Sequence, residues 1–528
     1  MDQTGVVCIR NLLDTHQQHD SIQKTTLKII DSSRVDFSHL RRWIAKCKES
    51  HESYCSRPTT STVPSLRLID CETREIEKAV PGTEYIALSY VWGHSARTDV
   101  PDTEAHCLSE HLPATIEDAI VATKRLGFQY LWIDRYCISQ DDDEDRHHQI
   151  QQMDLIYRGA ELVIVAAAGD NPDFGLPGVR NTSRLPLSRA AVGRYILAVL
   201  SSPPQSLIRS SKWASRGWTY QEGLLARRRL FFTEQLAYFE CHGMNCYETT
   251  DAELEWSSDF LFIPLTRNRW EISSIIGTYS GKELSYQSDA LNAILGVLRV
   301  FETEMCIYHY LGVPILCDEE VVSKQKTDLF KAGFVIGLSW SCKEPGQRRA
   351  GFPSWSWAGW TGTIDELRLE HNRKYLKPYD IVLSVVFEGI PIAWANFWMD
   401  KRGKVGMVDI PQHLYITAHC LDVRLSWVPE KDQSSGYFEV QHALIPGCEF
   451  TGHPELLLDI DNDPVLPVNI EKLVMKAISI ATYLGEDDWC TYTLLVIQTG
   501  ATWERIGLWG TDASMMAQWH VKKSLLLG

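Results

Sequence analysis

Tyr85-Ile-Ala-Leu-Ser-Tyr-Val-Trp-Gly93 is the stretch on which the reading of the fold turns. Ile86, Leu88 and Tyr90 alternate with Ala87, Ser89 and Val91, and both registers are largely apolar. That is the pattern of a strand covered on both faces. The run ends in Trp92-Gly93-His94-Ser95, a turn-forming sequence. In an open α/β sheet ligands sit beyond the carboxyl ends of strands, at the switch point. Ser89 to His94 is therefore expected to floor a pocket into which later segments bring chemistry.

Downstream, the chain alternates helix and strand. Pro113 marks a helix start, with Ile116, Ala119, Ile120 and Thr123 on one face and Gly127 as the stop. Tyr130-Leu-Trp-Ile-Asp134 reads as a buried strand with a carboxylate at its end. Glu144 to Tyr157 reads as one helix closed by Gly159, and Glu161-Leu-Val-Ile-Val-Ala-Ala167 as a third strand. This order predicts crossovers and a parallel sheet. Gly169 to Pro186 is a loop by composition. Tyr195 to Leu200 is a strand, Arg216 to Ala226 a helix, and Arg229 to Thr233 and Leu236 to Cys241 are strands.

Upstream, Leu66-Arg-Leu-Ile-Asp70 is a strand, and Glu72 to Lys78 is a turn or partner strand. Phe37 to Cys47 suits a short amphipathic helix, and Ser56 to Pro64 a linker. Residues 250 to 340 look mainly helical, Ser288 to Phe301 most clearly. From Phe352 onward short β-rich runs suggest an antiparallel sandwich or barrel-like module. The expected organisation is an N-terminal helical extension and linker over 1–60, a parallel-sheet α/β domain over 61–250, a helical segment over 251–350 and a β-rich domain over 351–528.

Bulk properties exclude several classes. At 528 residues the chain exceeds one hydrophobic core. A formal net charge of −16 argues against a nucleic-acid binder or an anionic membrane surface as partner. The amino terminus lacks the basic-then-apolar run of a signal peptide, and no continuous apolar run approaches a spanning helix. A cytoplasmic protein with reduced thiols is expected, so Asn181-Thr-Ser183 is not read as glycosylated. Among 14 Cys, Cys241 and Cys246 come nearest to a ligand pair, but no second pair follows, so no metal site is expected. Asp141 to Asp145 is not a calcium loop, because Arg146 and Gln152 stand where Gly and Glu are needed.

Three clusters could carry chemistry: Ser89-Tyr-Val-Trp-Gly93; Leu131-Trp-Ile-Asp-Arg-Tyr-Cys-Ile-Ser-Gln140; and Ser215-Arg-Gly-Trp-Thr-Tyr-Gln-Glu222. In the third, Trp218, Glu222 and Leu225 share a helical face that points to the sheet. A carboxylate there is either ion-paired or lies in a cleft with a raised pKa. In an aromatic-lined cleft it suits glycosidic cleavage by stabilising an oxocarbenium-like carbon. The plainer alternative is that Glu222 pairs with Arg216 or with the Arg227-Arg-Arg229 run. Asp134 could cap its own loop. Cys137 reads as a small buried residue rather than a nucleophile. Trp92, Trp132 and Trp218 read as core aromatics first and pocket walls second. No nucleophile–base pair supports a plain metabolic hydrolase, and no phosphate-binding Gly-rich loop occurs.

Together the clusters resemble the heterokaryon-incompatibility (HET) domain of filamentous fungi. The matching runs are Tyr85 to Gly93, Leu131-Trp-Ile-Asp134 with Cys137-Ile-Ser-Gln140, Met153-Asp-Leu-Ile-Tyr157 and Arg216-Gly-Trp-Thr-Tyr-Gln-Glu222. Asp289 to Gly296 and Pro353-Ser-Trp-Ser-Trp-Ala358 look like the flank that accompanies the domain. Ser139 stands where the family has Asn, and Arg135-Tyr136 replace smaller residues. The resemblance implies programmed cell death after fusion of unlike fungal cells. It also implies a Rossmann- or flavodoxin-like fold similar to TIR domains, some of which hydrolyse NAD. By that analogy Glu222 is the catalytic carboxylate, while Ser89, Tyr90, Trp92, Asp134, Cys137, Gln140, Arg216 and Trp218 line a nucleotide pocket. NAD would be a substrate, with no separate cofactor. The alternative is a non-enzymatic signalling module that self-associates or binds an incompatibility partner, its Trp and Tyr anchoring the interface.

Overall fold

The computed structural model describes residues 5–10, 30–56, 63–93, 107–139, 143–186, 189–192, 195–200, 203–249, 254–255, 260–265, 271–315, 327–365, 376–378, 380–401, 410–429, 436–443, 454–457, 474–484, 489–512 and 521–528. The chain divides into two units, Met1–Pro264 and Leu265–Gly528.

In the first unit a strand, β1 (Gly5–Arg10), precedes two helices, α1 (Phe37–Ser50) and α2 (Glu52–Cys55). Asp36 caps α1 by accepting from the backbone N–H groups of Ser38 (2.9 Å) and His39 (3.3 Å). Phe37, Leu40, Trp43, Ile44 and Cys47 form its buried face, at the three- and four-residue spacing of a helix lying on a sheet. Then come β2 (Arg67–Asp70), β3 (Ile76–Lys78) and β4 (Tyr85–Ser89), followed by α3 (Ala114–Leu126), β5 (Tyr130–Trp132), α4 (Asp134–Cys137), α5 (Asp143–Gln151), α6 (Met153–Gly159) and β6 (Leu162–Ala166). A hairpin, β7 (Arg189–Val192) and β8 (Tyr195–Leu200), leads to α7 (Pro204–Arg209), α8 (Lys212–Ser215) and α9 (Gly217–Leu225). The unit ends with β9 (Arg228–Phe232), β10 (Ala237–Cys241), β11 (Met244–Tyr247) and β12 (Leu254–Glu255).

The nine-stranded sheet runs β12-β11-β10-β9-β6-β4-β5-β2-β3. Its centre, β9-β6-β4-β5, is parallel. This confirms the mixed α/β reading with a parallel core. Both flanks are antiparallel, and β8 lies apart, paired with β1 and β7. All residues of β4 and β6 are buried, as continuous apolar runs require when both faces of a strand are covered. From β4 the chain moves to β5 on one side and then to β6 on the other. The carboxyl ends of β4 and β6 therefore lie at the point where the order reverses, which is where open α/β sheets place their ligands.

Two local expectations need correction. Asp134 does not end a strand: β5 stops at Trp132, and Asp134 opens the one-turn α4. The helix expected over 144–157 is two helices, because Gln152 leaves helical geometry (φ −102°, ψ 5°) between α5 and α6. Pro113 and Gly127 do bracket α3; Gly127 takes φ +91°, where a Cβ would be strained. The loop after β6 is anchored by buried Asp118, which accepts from Leu176 N (2.7 Å) and Arg180 Nε (2.6 Å).

The second unit contains helices Glu271–Ser280, Asn292–Met305, Thr327–Gly337 and Trp394–Lys401, and a hairpin of Tyr308–Tyr310 with Val313–Ile315. Its β-rich part behaves as the periodicity suggested. Strands Met475–Leu484, Trp489–Thr499, Thr502–Asp512, Val521–Leu527 and Leu414–Pro429 pair in sequence, and the last pairs back to the first, closing a five-stranded ring. The Pro353 to Ala358 motif is a core feature here. The indoles of Trp355 and Trp357 donate to Gln412 O (2.9 Å) and Gly312 O (2.7 Å). Buried Arg505 donates to Leu338 O (2.8 Å) and stacks 3.8 Å above the Trp340 ring. Among the described residues, no helix is long and apolar enough to cross a membrane.

Candidate active site

Ser89 is the last residue of β4, and its hydroxyl donates to Oε2 of Glu222, which stands in the second turn of α9. The same oxygen accepts from Trp213 Nε1 at 2.7 Å. The contact joins residues 133 apart in the chain, which only the packing of α8 and α9 over the carboxyl end of β4 can bring about. Ser89 is 1% exposed and Glu222 4%, so the carboxyl is held out of bulk water.

Beside this trio lies a second acid. Asp134 accepts from Trp92 Nε1 (2.9 Å) through Oδ2, and from the Arg135 backbone N–H (2.7 Å) through Oδ1. Thus Asp134 does bind its own backbone, as the capping alternative held, and it also reaches the turn after β4. The Arg135 guanidinium lies 5.9 Å from the Trp92 ring centroid. Trp92, Asp134, Arg216 and Trp218 are half-buried, while Tyr90 is buried.

Electrostatics separate the two acids. Burial pushes Glu222 up to about 8; the charge of Asp134 adds to the shift, and Ser89, Arg216 and Tyr157 oppose it. Burial pushes Asp134 up to about 6, against hydrogen bonds from Arg135 N–H and Trp92 and the charges of Arg216 and Arg135. At neutral pH Asp134 is therefore mostly ionised and Glu222 mostly protonated. Two carboxyl groups set apart in this way can divide acid and base work. Burial also raises the Tyr157 and Tyr90 hydroxyls, and nearby acids push them further: Glu222 for Tyr157, Asp134 for Tyr90.

The plainer alternative for Glu222 fails. Arg227 and Arg228 bind Glu161 (3.2 and 3.4 Å), and Arg229 faces Glu240 (3.6 Å). Among the described residues, no guanidinium lies within 4 Å of Glu222; Arg216 acts on it through space.

The structure thus brings Ser89, Tyr90, Trp92, Asp134, Arg216 and Glu222 to one edge. Cys137 is present but inert: its sulfur accepts from Ile133 N (3.4 Å), and burial pushes the thiol up to about 12. Trp218 departs from the expected face; Glu222 and Leu225 are buried while Trp218 stays half-exposed. Gln140 and His94 lie outside the described residues. Trp132 is core, edge-on to Tyr157 at 5.4 Å. Trp213 was missed. It lies just upstream of the motif, and the break at Arg216 (φ −91°, ψ 145°) between α8 and α9 hides it from a single helical period.

Parallel strands with a paired acidic site at their carboxyl edge define an α/β domain built around Glu222. Residues 85–222 match the family described as Heterokaryon incompatibility protein (HET). The chain thus carries a stretch similar to that family, running from the first residue of β4 to the buried acid. It is similar to "Heterokaryon incompatibility protein 6, OR allele" of Neurospora crassa, at 30% identity over 169 residues. That similarity covers 28% of this chain and 24% of the Neurospora protein. No solved structure matches the chain.

Proposed function

We propose that this chain is an incompatibility-type cell-death effector whose HET domain cleaves the nicotinamide–ribose bond of NAD. The observation that supports this most is the Ser89–Glu222 contact at the switch point of the parallel core, with Asp134 as a second acid near it. The strand order β5-β4-β6-β9 is that of the first four strands of a flavodoxin-like sheet, whose ligands bind between the first and third. A similarity to TIR domains is in keeping with that order.

The chemistry follows from charge. A cationic nicotinamide ring entering past Trp92 and Trp218 would sit near two acids. Its positive charge lowers the Glu222 pKa, so substrate binding itself generates the second carboxylate. As the C1′–N bond breaks, its electron pair leaves with neutral nicotinamide, and positive charge builds on the ribose. Glu222 then stabilises that charge. Water adds to C1′ and loses its proton, giving ADP-ribose. The test incubates purified protein with NAD and follows free nicotinamide, comparing wild type with Glu222→Gln. Release by wild type alone supports the proposal; no release, or equal release from both, removes it.

A second reading also has an observation behind it. The Ser89 hydroxyl donates to Glu222 and accepts from Trp213, and so pins α8 and α9 to β4. Such a pin suits a cytoplasmic interaction module that self-associates or binds an incompatibility partner. It predicts that death on expression in a fungal host survives Glu222→Gln; loss of toxicity at unchanged protein level counts against it.

A further inference from the structure

Away from Glu222, four buried side chains converge: Cys47, His51, Cys55 and Cys241, with their potential ligand atoms all within 4.8 Å of one another. We propose that these four residues bind one zinc ion in a closed tetrahedral site that fastens α1 and α2 to β10.

The first three ligands are local. Cys47, His51 and Cys55 recur every four residues, so one side of the α1–α2 helical run presents them together. The fourth comes from β10, 190 residues from His51, and a pair search along the sequence misses it. The separations suit the metal. Cys241 Sγ stands 3.4 Å from His51 Nδ1. A tetrahedral ion with Zn–S of about 2.3 Å and Zn–N of about 2.0–2.1 Å holds those atoms roughly 3.5 Å apart.

The surroundings are those of thiolates. Cys241 Sγ accepts the backbone N–H groups of Gly243 and Met244, each at 3.4 Å. Arg228 Nε donates to Cys47 Sγ at 3.1 Å, placing a buried cation against a site that three thiolates and Zn²⁺ would leave at net −1. Arg227 and Arg228 also hold the Cys55 carbonyl, at 2.8 and 3.2 Å. Gly243 is required by close approach: a Cβ there would meet the His51 ring at 2.7–2.8 Å. Soft sulfur ligands with one imidazole select zinc, and four protein ligands leave no open position, so the site is structural rather than catalytic. Zinc binding releases the three thiol protons to solvent.

The experiment uses the full chain, produced without a metal-affinity tag in zinc-supplemented medium and washed with a weak chelator. Metal is measured by plasma mass spectrometry and by release of zinc to a chromogenic chelator on thiol modification. We expect one zinc per folded chain, none in Cys241→Ala, and retention in His51→Cys, which rebuilds a four-thiolate site. The control Cys107→Ala, at an exposed cysteine, should also retain the metal. Should Cys241→Ala fail to fold, cobalt substitution of wild type decides: a strong thiolate-to-cobalt charge-transfer band with tetrahedral d–d bands supports the site. Metal-free folded wild type, iron in place of zinc, a disulfide among these cysteines, or an octahedral cobalt spectrum overturns it. None of these readouts depends on NAD cleavage.

Discussion

Glu222→Gln is the substitution whose consequences the structure defines most fully. The wild-type carboxyl titrates near 8 in the folded chain against 4.5 as the reference for an unfolded one. A raised carboxyl pKa means the native state holds its proton more tightly. Its contribution is therefore most favourable at low pH and is lost as pH rises through the window from 4.5 to about 8. Applying 1.36 kcal/mol per unit across that window, wild type should lose about 3 kcal/mol between pH 6 and pH 9 through this group alone. For a unit of this size that corresponds to roughly 5–10 °C in melting temperature. Glutamine keeps the shape and the acceptor for Ser89 but cannot ionise. The variant's stability curve should stay flat over the same interval relative to wild type, and the two curves should converge toward acid pH. The assay is urea unfolding at half-unit pH steps from 5.5 to 9, for both proteins, under reducing conditions with fixed metal content. Parallel curves would refute a buried, proton-retaining Glu222, and with it the argument that a bound cation creates the carboxylate.

Three further outcomes follow from neighbouring contacts. Ser89→Ala leaves the buried Trp213 N–H without its acceptor and removes a hydrogen bond that lowers the Glu222 pKa. It should cost about 1–3 kcal/mol by denaturation and shift the Glu222-dependent loss of stability to higher pH. Cys137, buried and with its thiol pushed up to about 12, should resist iodoacetamide in the native protein while exposed Cys107 is labelled, as read by peptide mapping. Glu240→Ala removes the acceptor of Tyr238 OH (2.6 Å), Leu261 N (2.8 Å) and Phe262 N (3.0 Å), and the counter-charge of fully buried Arg229. A loss of about 3–5 kcal/mol is expected in urea unfolding; a loss below about 1 kcal/mol would show that Arg229 finds another partner.

What the sequence determined by itself was local and periodic. The doubly apolar run at Tyr85 to Ser89, its counterparts at Leu131 and Leu162, and the bracket of Pro113 and Gly127 report on the two faces of a strand and the ends of a helix within a few residues. The parallel core was legible from them, as was the β-rich character of the second unit; that its strands close into a ring was not. Candidates such as Ser89, Asp134 and Glu222 could be named, because their types and motif positions are visible in a line of letters. Which of them touch was decided only by tertiary structure. Ser89 meets Glu222 across 133 residues and Trp92 meets Asp134 across 42. Arg227 and Arg228 turn to Glu161, leaving Glu222 unclamped, and Cys241 arrives beside three ligands from the far end of the same unit. Periodicity carries information over a turn or a strand. The stacking of helices on a sheet sets contacts at any separation, and those contacts fix both the carboxyl's protonation and the metal-ligand cluster.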